Sequence, residues 1–396
     1  MSSGNYERLT YETEATWTGT RSGSIREVPH TGVQMARSAQ YFESRIVRSD
    51  RETQDIVRGT FSAGGTIGGE LLYRKPTSTT TNAYDDWFRY VLFSNADWTT
   101  PEADVTTADS TATSVTKTTS FGAGWVVGDV VRVTVGTNAP KYQVITAKGG
   151  SGGTSVLTLS PGGLATGTGN VTVEHGSYVK NRITAQSMVI TRAFNDLPNT
   201  GSPDQATEYP GSYLNGMTLE LSTGGPVRMG WSIVSYDEVD DVSIPSVSAG
   251  YAASSYRVFD SVSSVKAFAE GSPLATFTAT QLSLELTNNI NPRTEIAVEG
   301  ASSMRIGSLG VSGSFTRYFA DNAQLAAFKA NTETAIFVAL QDSLGNGLVF
   351  WAPSVVIQGA SRTGGGKDTD IEVQANWRAK KSATYGETFR ITRFDA

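Results

Sequence analysis

The chain has 396 residues, a formal net charge of −6, 41 glycines and no cysteine. That length accommodates two or three domains with cores of their own, while the missing thiols exclude disulfides and thiolate metal sites. The acidic balance argues against a surface that grips nucleic acid by neutralising phosphates.

The N-terminal stretch Met1 to Arg21 is polar and has no apolar h-region, so no secretory signal is expected. No run approaches 18 apolar residues, so no membrane-spanning helix and no membrane insertion are expected. Abundant Gly, Ser and Thr suit a turn-rich β protein better than a helical one. The expectation is a soluble, mostly β protein made in the cytoplasm, with a few short helices.

The first helical signal is the stripe Tyr84, Trp87, Phe88, Val91 and Leu92, spaced for one side of a helix. Asn82 is placed to cap it, with Asp85 and Asp86 near the positive end of its dipole. Val105 to Ser120 is rich in Thr and Ser without apolar periodicity and reads as a linker. Four short β runs follow, Trp125–Val133, Tyr142–Ile145, Val156–Leu159 and Val171–Val173, separated by Gly-rich turns. They predict a small closed β-barrel or immunoglobulin-like sandwich.

Period-2 alternation then marks strands at Met217–Leu221, Thr280–Leu286, Val311–Tyr318 and Ile371–Trp377. Gly224-Gly225-Pro226, Asn288-Asn289, Gly345-Asn346-Gly347 and Gly364-Gly365-Gly366 punctuate them, and Leu340 to Phe350 reads as a hairpin. A second helix is expected with Asp321 as cap, Gln324 completing a capping box, and Leu325 and Phe328 as its apolar contacts. Both helices are expected to be buried.

Several motifs occur twice in the same order. Gly65-x-x-Gly68-x4-Tyr73 matches Gly310-x-x-Gly313-x4-Tyr318, and Asn82-Ala83-x4-Phe88-Arg89 matches Asn322-Ala323-x4-Phe328-Lys329. Ala185-x-Ser187-x-Val189-Ile190 matches Ala352-x-Ser354-x-Val356-Ile357. On this alignment the first copy carries roughly 73 extra residues after the helix, the size of a small inserted domain. The expected organisation is therefore a discontinuous first unit (1–100 and 178–240), an inserted small β domain (101–177) and a second unit (241–396), with a linker at Asp240 to Ala253. Because the second copy completes the motif order without it, the insert is expected to project outward and to be dispensable for assembly.

Catalytic constellations are scarce. His30 and His175 are the only histidines, and no H-E-x-x-H or G-x-S-x-G motif accompanies either. Gly364-Gly365-Gly366-Lys367 departs from a phosphate loop at Ser361 and Asp368 and reads as a turn. The acidic run Asp237, Glu238, Asp240, Asp241 lacks the alternating spacing of a calcium loop and reads as a solvated charge run. No catalytic, cofactor or metal residue is assigned. Paired carboxylates for glycoside hydrolysis stay open, because their separation is spatial. Abundant Thr and Ser with scattered Trp would also suit a carbohydrate-binding or adhesive β-sandwich.

Within residues 8–98, Thr18-Gly19-Thr20-Arg21-Ser22-Gly23-Ser24 is followed by Ser44-Arg45-Ile46-Val47-Arg48-Ser49-Asp50-Arg51 with Asp55 and Gly59, and then by Gly65-Thr66-Ile67-Gly68-Gly69-Glu70-Leu71. That order of signals resembles the major tail tube proteins of long-tailed, non-contractile bacteriophages of the siphovirus type. The second copy is similar to the family in Leu282 to Arg293, and again from Gly313 to Tyr318-Phe319-Ala320-Asp321.

The resemblance implies two tandem tail-tube-type β-sandwich or barrel units with the insert outside the family pattern. It implies a structural virion protein and no enzyme. Rings would stack into the tube through which the genome passes into the host. Three two-unit chains would supply six units, a homotrimeric pseudo-sixfold ring; a homohexamer is the alternative. Implied partners are further copies of itself, the tape measure protein and phage DNA in the lumen, and the tail terminator and distal tail proteins at the ends. The virion tail is the implied location, after assembly in the host cytoplasm. Three chains carry a formal −18 (3 × −6), suited to passing DNA without holding it. The competing reading is a carbohydrate-binding or adhesive β-sandwich protein, which beside this resemblance would be placed at the virion tip.

Overall fold

The computed structural model describes residues 7–46, 55–73, 83–94, 98–99, 102–150, 154–194, 206–240, 242–248, 257–271, 274–364, 366–367 and 369–395. Among the described residues the protein is all-β apart from two short helices. The chain opens with β1 (Glu7–Thr13), β2 (Arg26–Glu27), the long hairpin β3 (Gly32–Glu43) and β4 (Ile56–Glu70), and β5 (Leu72–Tyr73), which lead to α1 (Ala83–Val91). Six strands then close on themselves: β6 (Val105–Ser110), β7 (Ser114–Lys117), β8 (Val130–Val135), β9 (Lys141–Gly149), β10 (Ser155–Ser160) and β11 (Gly167–His175). The chain returns through β12 (Ser177–Lys180), β13 (Met188–Phe194), β14 (Ala206–Ser222) and β15 (Arg228–Ser235).

The second half runs β16 (Arg257–Val258), β17 (Val265–Glu270), β18 (Ala275–Thr276), β19 (Gln281–Thr287), β20 (Asn291–Arg293), β21 (Ser303–Arg305) and β22 (Gly310–Tyr318). After α2 (Ala323–Ala330) come β23 (Glu333–Gln341), β24 (Gly347–Gly364), β25 (Ile371–Ala379) and β26 (Arg390–Phe394). The alternating leucines behave as strand physics requires. Leu282, Leu284 and Leu286 of β19 enter the core, and Gln281 and Glu285 face out. Asp342 closes the β23–β24 turn, its Oδ1 accepting from the Asn346 N–H at 2.9 Å.

Both halves pair their strands in the same order. In the first, β1 pairs β13, β13 pairs β14, β14 pairs β15, β15 pairs β4, and β4 pairs β3. The second repeats this as β17, β23, β24, β25, β22, β19. Even the bulges recur. The β13–β14 register shifts between Met188 and Ile190, and the β23–β24 register between Thr334 and Ile336. Likewise β14 skips a residue between Leu214 and Gly216, and β24 between Ile357 and Gly359.

These bulges correct two of the motif matches. Ile190 corresponds to Ile336, so β13 answers to β23, not to the β24 segment beginning at Ala352. Gly65, paired with Ile233, corresponds to Gly313, paired with Trp377, not to Gly310. Gly, Ala and Ser recur too often here for their spacing to fix a register. The helix match stands: both helices begin at the matched alanines, Ala83 and Ala323, while Asn82 lies outside the described residues.

The Thr/Ser stretch from Val105 is not a linker. It forms β6 and β7 of the barrel, with Val105, Ala108 and Val115 turned into its core. Thr favours strands, and a small Ala108 fills an inward position without an apolar signature. In β8, Val131, Val133 and Val135 face the barrel core, while Val130 faces away.

The barrel does not project freely. Val130, Tyr142 and Val144 on its outside share an apolar cluster with Phe337, Val349, Trp351 and Phe394 of the second half. Arg390 of β26 clamps the junction, donating to Asp129 at 2.7 Å and to Glu387 at 3.0 Å. Burial pushes the Asp129 carboxyl up, but bonds from His175, the Val126 N–H and Arg390 outweigh it and hold it below its usual range. Arg132 adds bonds to the carbonyls of Gly345 and Asp395, at 2.6 and 2.8 Å.

The two helices differ in burial. In α1, Tyr84, Trp87, Phe88 and Val91 are buried, with Trp87 edge-on to Trp231 at 5.3 Å. Asp85 and Asp86 are buried too: Asp86 is held by Arg26, Arg89 and the Tyr11 hydroxyl, and Asp85 by Arg393. Expected burial fails for α2, where Phe328 is 41% exposed. No capping box forms there either. Asp321 accepts from the Ala323 N–H at 2.8 Å, but Gln324 turns away to Glu270 and Arg317.

Replacing Trp87 by Ala should cost about 3–5 kcal/mol, the usual penalty for a buried aromatic; a thermal melt shifted by only a degree or two contradicts that placement. Deleting the barrel with a Gly/Ser bridge bares Phe337, Val349, Trp351 and Phe394 together. The expected result is a product that self-associates non-specifically in sedimentation, and a soluble, monodisperse deletion chain speaks against the docking.

Candidate functional site

The residues weighed for chemistry have ordinary structural partners. His175 is buried in the barrel, stacked on Trp125 at 4.7 Å. Its Nδ1 accepts from the Glu102 N–H at 3.1 Å, so Nε2 carries the proton and donates to Asp129 at 3.0 Å. His30 lies far away in sequence and contacts the Val28 carbonyl. Arg37 pairs with Asp237, the Arg37 N–H donates to Glu238, and Thr207 donates to Asp240 at 2.9 Å. Asp241 lies outside the described residues.

Gly364 ends β24 and the chain re-enters β25 at Ile371, so the glycine run lies at a hairpin connection; Gly365 and Asp368 are outside the described residues. Among the described residues no three His, Cys, Asp or Glu side chains converge to hold a metal. Six of the seven tryptophans are buried, so they are core residues and not a surface on which a sugar ring could stack. An apolar cavity of about 310 Å³ opens beside Leu221, Val265, Phe268, Phe277 and Leu282, without a titratable pair to act in it.

The feature that organises the surface is a sheet. Strands β3, β4, β15, β14, β19, β22, β25 and β24 follow one another in an unbroken antiparallel ladder of eight. One face covers the core with Met217, Leu219, Trp231, Leu284, Phe315 and Trp377. The other carries small polar rows such as Thr66, Ser232, Gly216, Thr287 and Gly310, joined strand to strand. Its charged members include Glu70, Glu220, Glu285 and Glu372 against Arg228 and Arg378, so acid exceeds base. A one-sided antiparallel sheet of this kind is built to face water.

The ladder crosses between the halves at one seam, β14 with β19, running from Gly216 opposite Thr287 to Ser222 opposite Gln281. Met217, Leu219 and Leu221 meet Leu286, Leu284 and Leu282 on the buried side. The bulge frees Asn215 to serve the seam: its carbonyl accepts from the Asn288 N–H at 2.7 Å and its Oδ1 from the Ile290 N–H at 2.8 Å. The buried Asn288 amide donates to Val91 O at the end of α1 (2.9 Å) and to Leu214 O (3.0 Å). Sequence reading took Asn288 for turn punctuation within the family-like run from Leu282 to Arg293 and assigned it no structural role; an Asn ending an alternating run was its signal.

The ladder ends at two edges. Among the described residues, β3 has only β4 as a strand partner, and β24 beyond Ile357 has only β25. Side chains stand guard on β3: Tyr209 donates to the Met35 carbonyl at 3.1 Å, and Glu238 takes the Arg37 N–H. Of the residues that carried the family resemblance, Gly65 to Glu70 lie within β4, Leu282 to Leu286 at the seam, and Gly313 within β22. Asp50 and Arg51 are outside the described residues.

Comparison with known proteins gives a match to the family model described as phage tail tube protein, over residues 4–379. No curated protein matches the chain.

Replacing Asn288 by Ala leaves two buried carbonyls without their donor, a loss of about 1–3 kcal/mol. Denaturant unfolding should show that loss with an unchanged circular dichroism spectrum. An unchanged midpoint means that the amide does not hold the seam.

Proposed function

The chain belongs to the phage tail tube protein family, and from that premise we propose that three copies close a ring in which both halves line the lumen. Its role is structural, as a component of the tail of the virion. The observation that carries the trimer reading is the seam: two halves with one strand order already stand side by side in a single sheet. The proposed division is 1–100 with 178–240 as one tube unit, 241–396 as the other, and 101–177 as an insert on the outside of the wall.

Three chains bring 24 strands (3 × 8) to the wall. At about 4.8 Å per strand that is a circumference of roughly 115 Å and a diameter near 37 Å, which strand tilt widens further. Such a barrel admits a nucleic-acid duplex. Closure also removes the edge strands that invite uncontrolled pairing. The polar face of the sheet would form the lumen. Its rows of Ser, Thr and Gly, with acid in excess, offer phosphates little to bind.

In this reading the lumen holds the tape measure protein during assembly and DNA during ejection, and terminator and distal tail proteins meet the tube ends. The tail would be of the long, non-contractile type, assembled in the host cytoplasm.

Native mass spectrometry of the smallest ring tests the stoichiometry. Three chains, near 126 kDa (3 × 42.1 kDa), are expected. A six-chain ring with one half of each chain held outside the wall would overturn it.

A further inference from the structure

We propose that the joint between chains repeats the internal seam residue for residue, with β3 of one copy laid along the free edge of β24 in the next; this rests on the ring reading above. The matched bulges make Gly216 equivalent to Gly359, and the β4 and β22 registers make Thr287 equivalent to Ser38. Carrying the internal register across sets Gly359 opposite Ser38, Ser361 opposite Ala36 and Thr363 opposite Gln34. On the other face Ala360 meets Arg37, Arg362 meets Met35 and Gly364 meets Val33.

The two seams differ in chemistry where equivalent positions are compared. The internal seam buries Met217, Leu219 and Leu221 against three leucines. Its counterparts on the free edge are Ala360, Arg362 and Gly364, and position 39, equivalent to Asn288, is an alanine. An edge that waits in water before assembly must be polar or it pairs indiscriminately. The covalently linked seam has no such stage and is apolar. In the single chain Tyr209 and Glu238 occupy the Met35 carbonyl and the Arg37 N–H, the backbone groups that the β24 edge would take over.

Helix α2 fits the same joint. Phe88 of α1 is fully buried beside the internal seam, packed edge-on to Phe350 of the other half at 6.1 Å. Its equivalent, Phe328, is 41% exposed in the single chain. The neighbouring copy supplies the cover that α2 lacks.

The chain has no cysteine, so engineered pairs report cleanly. Directly opposed strand residues lie within disulfide reach. In tubes of the double variant Ser361→Cys/Ala36→Cys, oxidation should link every chain to two neighbours and give a covalent three-chain species on non-reducing gels. Thr363→Cys/Gln34→Cys tests the same register should the first variant fail to fold. The two-residue slip Ser361→Cys/Ser38→Cys should link far less. Preferential linking by the slipped pair, or no linking by any pair in tubes visible by microscopy, overturns the register and leaves the ring reading standing. Absence of rings from the unsubstituted chain sinks the ring reading itself.

Discussion

Every backbone N–H and C=O along a β-strand needs a partner on both edges, and β14 meets that demand only by drawing on two different parts of the chain. Its first half pairs β13, its second half pairs β19, and β15 runs along the opposite edge. The bulge at Asn215 lies between these two regimes, and β24 carries the same bulge at Gln358. Most of the architecture follows from this: a long bent strand, one portion closing a local core with β1 and β13, the other delivering an edge to the next unit in line.

The rest of the chain supports that strand. Helix α1 packs under β14, and through Val91, Phe88 and Asp85 it touches Asn288, Phe350 and Arg393 of the second half. The barrel, inserted in the first half, is clamped onto the second by Arg390 and by the cluster around Trp351. A buried ion pair of this kind contributes little net stability against an apolar alternative, but losing one member is costly because the remaining charge stays buried. The two halves are thereby fastened at two places, at the seam and through the barrel.

Much of this was legible in the sequence, and the failures have definite causes. Alternating leucines at 282, 284 and 286 announced a one-sided strand, and the stripe from Tyr84 to Val91 announced a buried helix. Repetition was visible too, but its register was not. Bulges at 215 and 358 shift the count by single residues, and motifs built from Gly, Ala and Ser slide past such shifts unnoticed. The Thr-rich β6 and β7 were missed because their inward residues are few and small. Phe328 looked like a core residue because spacing reports an apolar face and cannot say whether its cover lies in the same chain. The candidate site was the least legible part, since an edge is defined by the strand that is missing from it.

The central claim is that both halves of each chain stand in one continuous wall. A reconstruction of the assembled tube, at a resolution that separates strands, addresses it directly. The account predicts threefold symmetry, 24 strands around each ring, and the row Thr66, Ser232, Gly216, Thr287 facing the lumen. A wall built from only one half of each chain, with the other decorating the exterior, would contradict it.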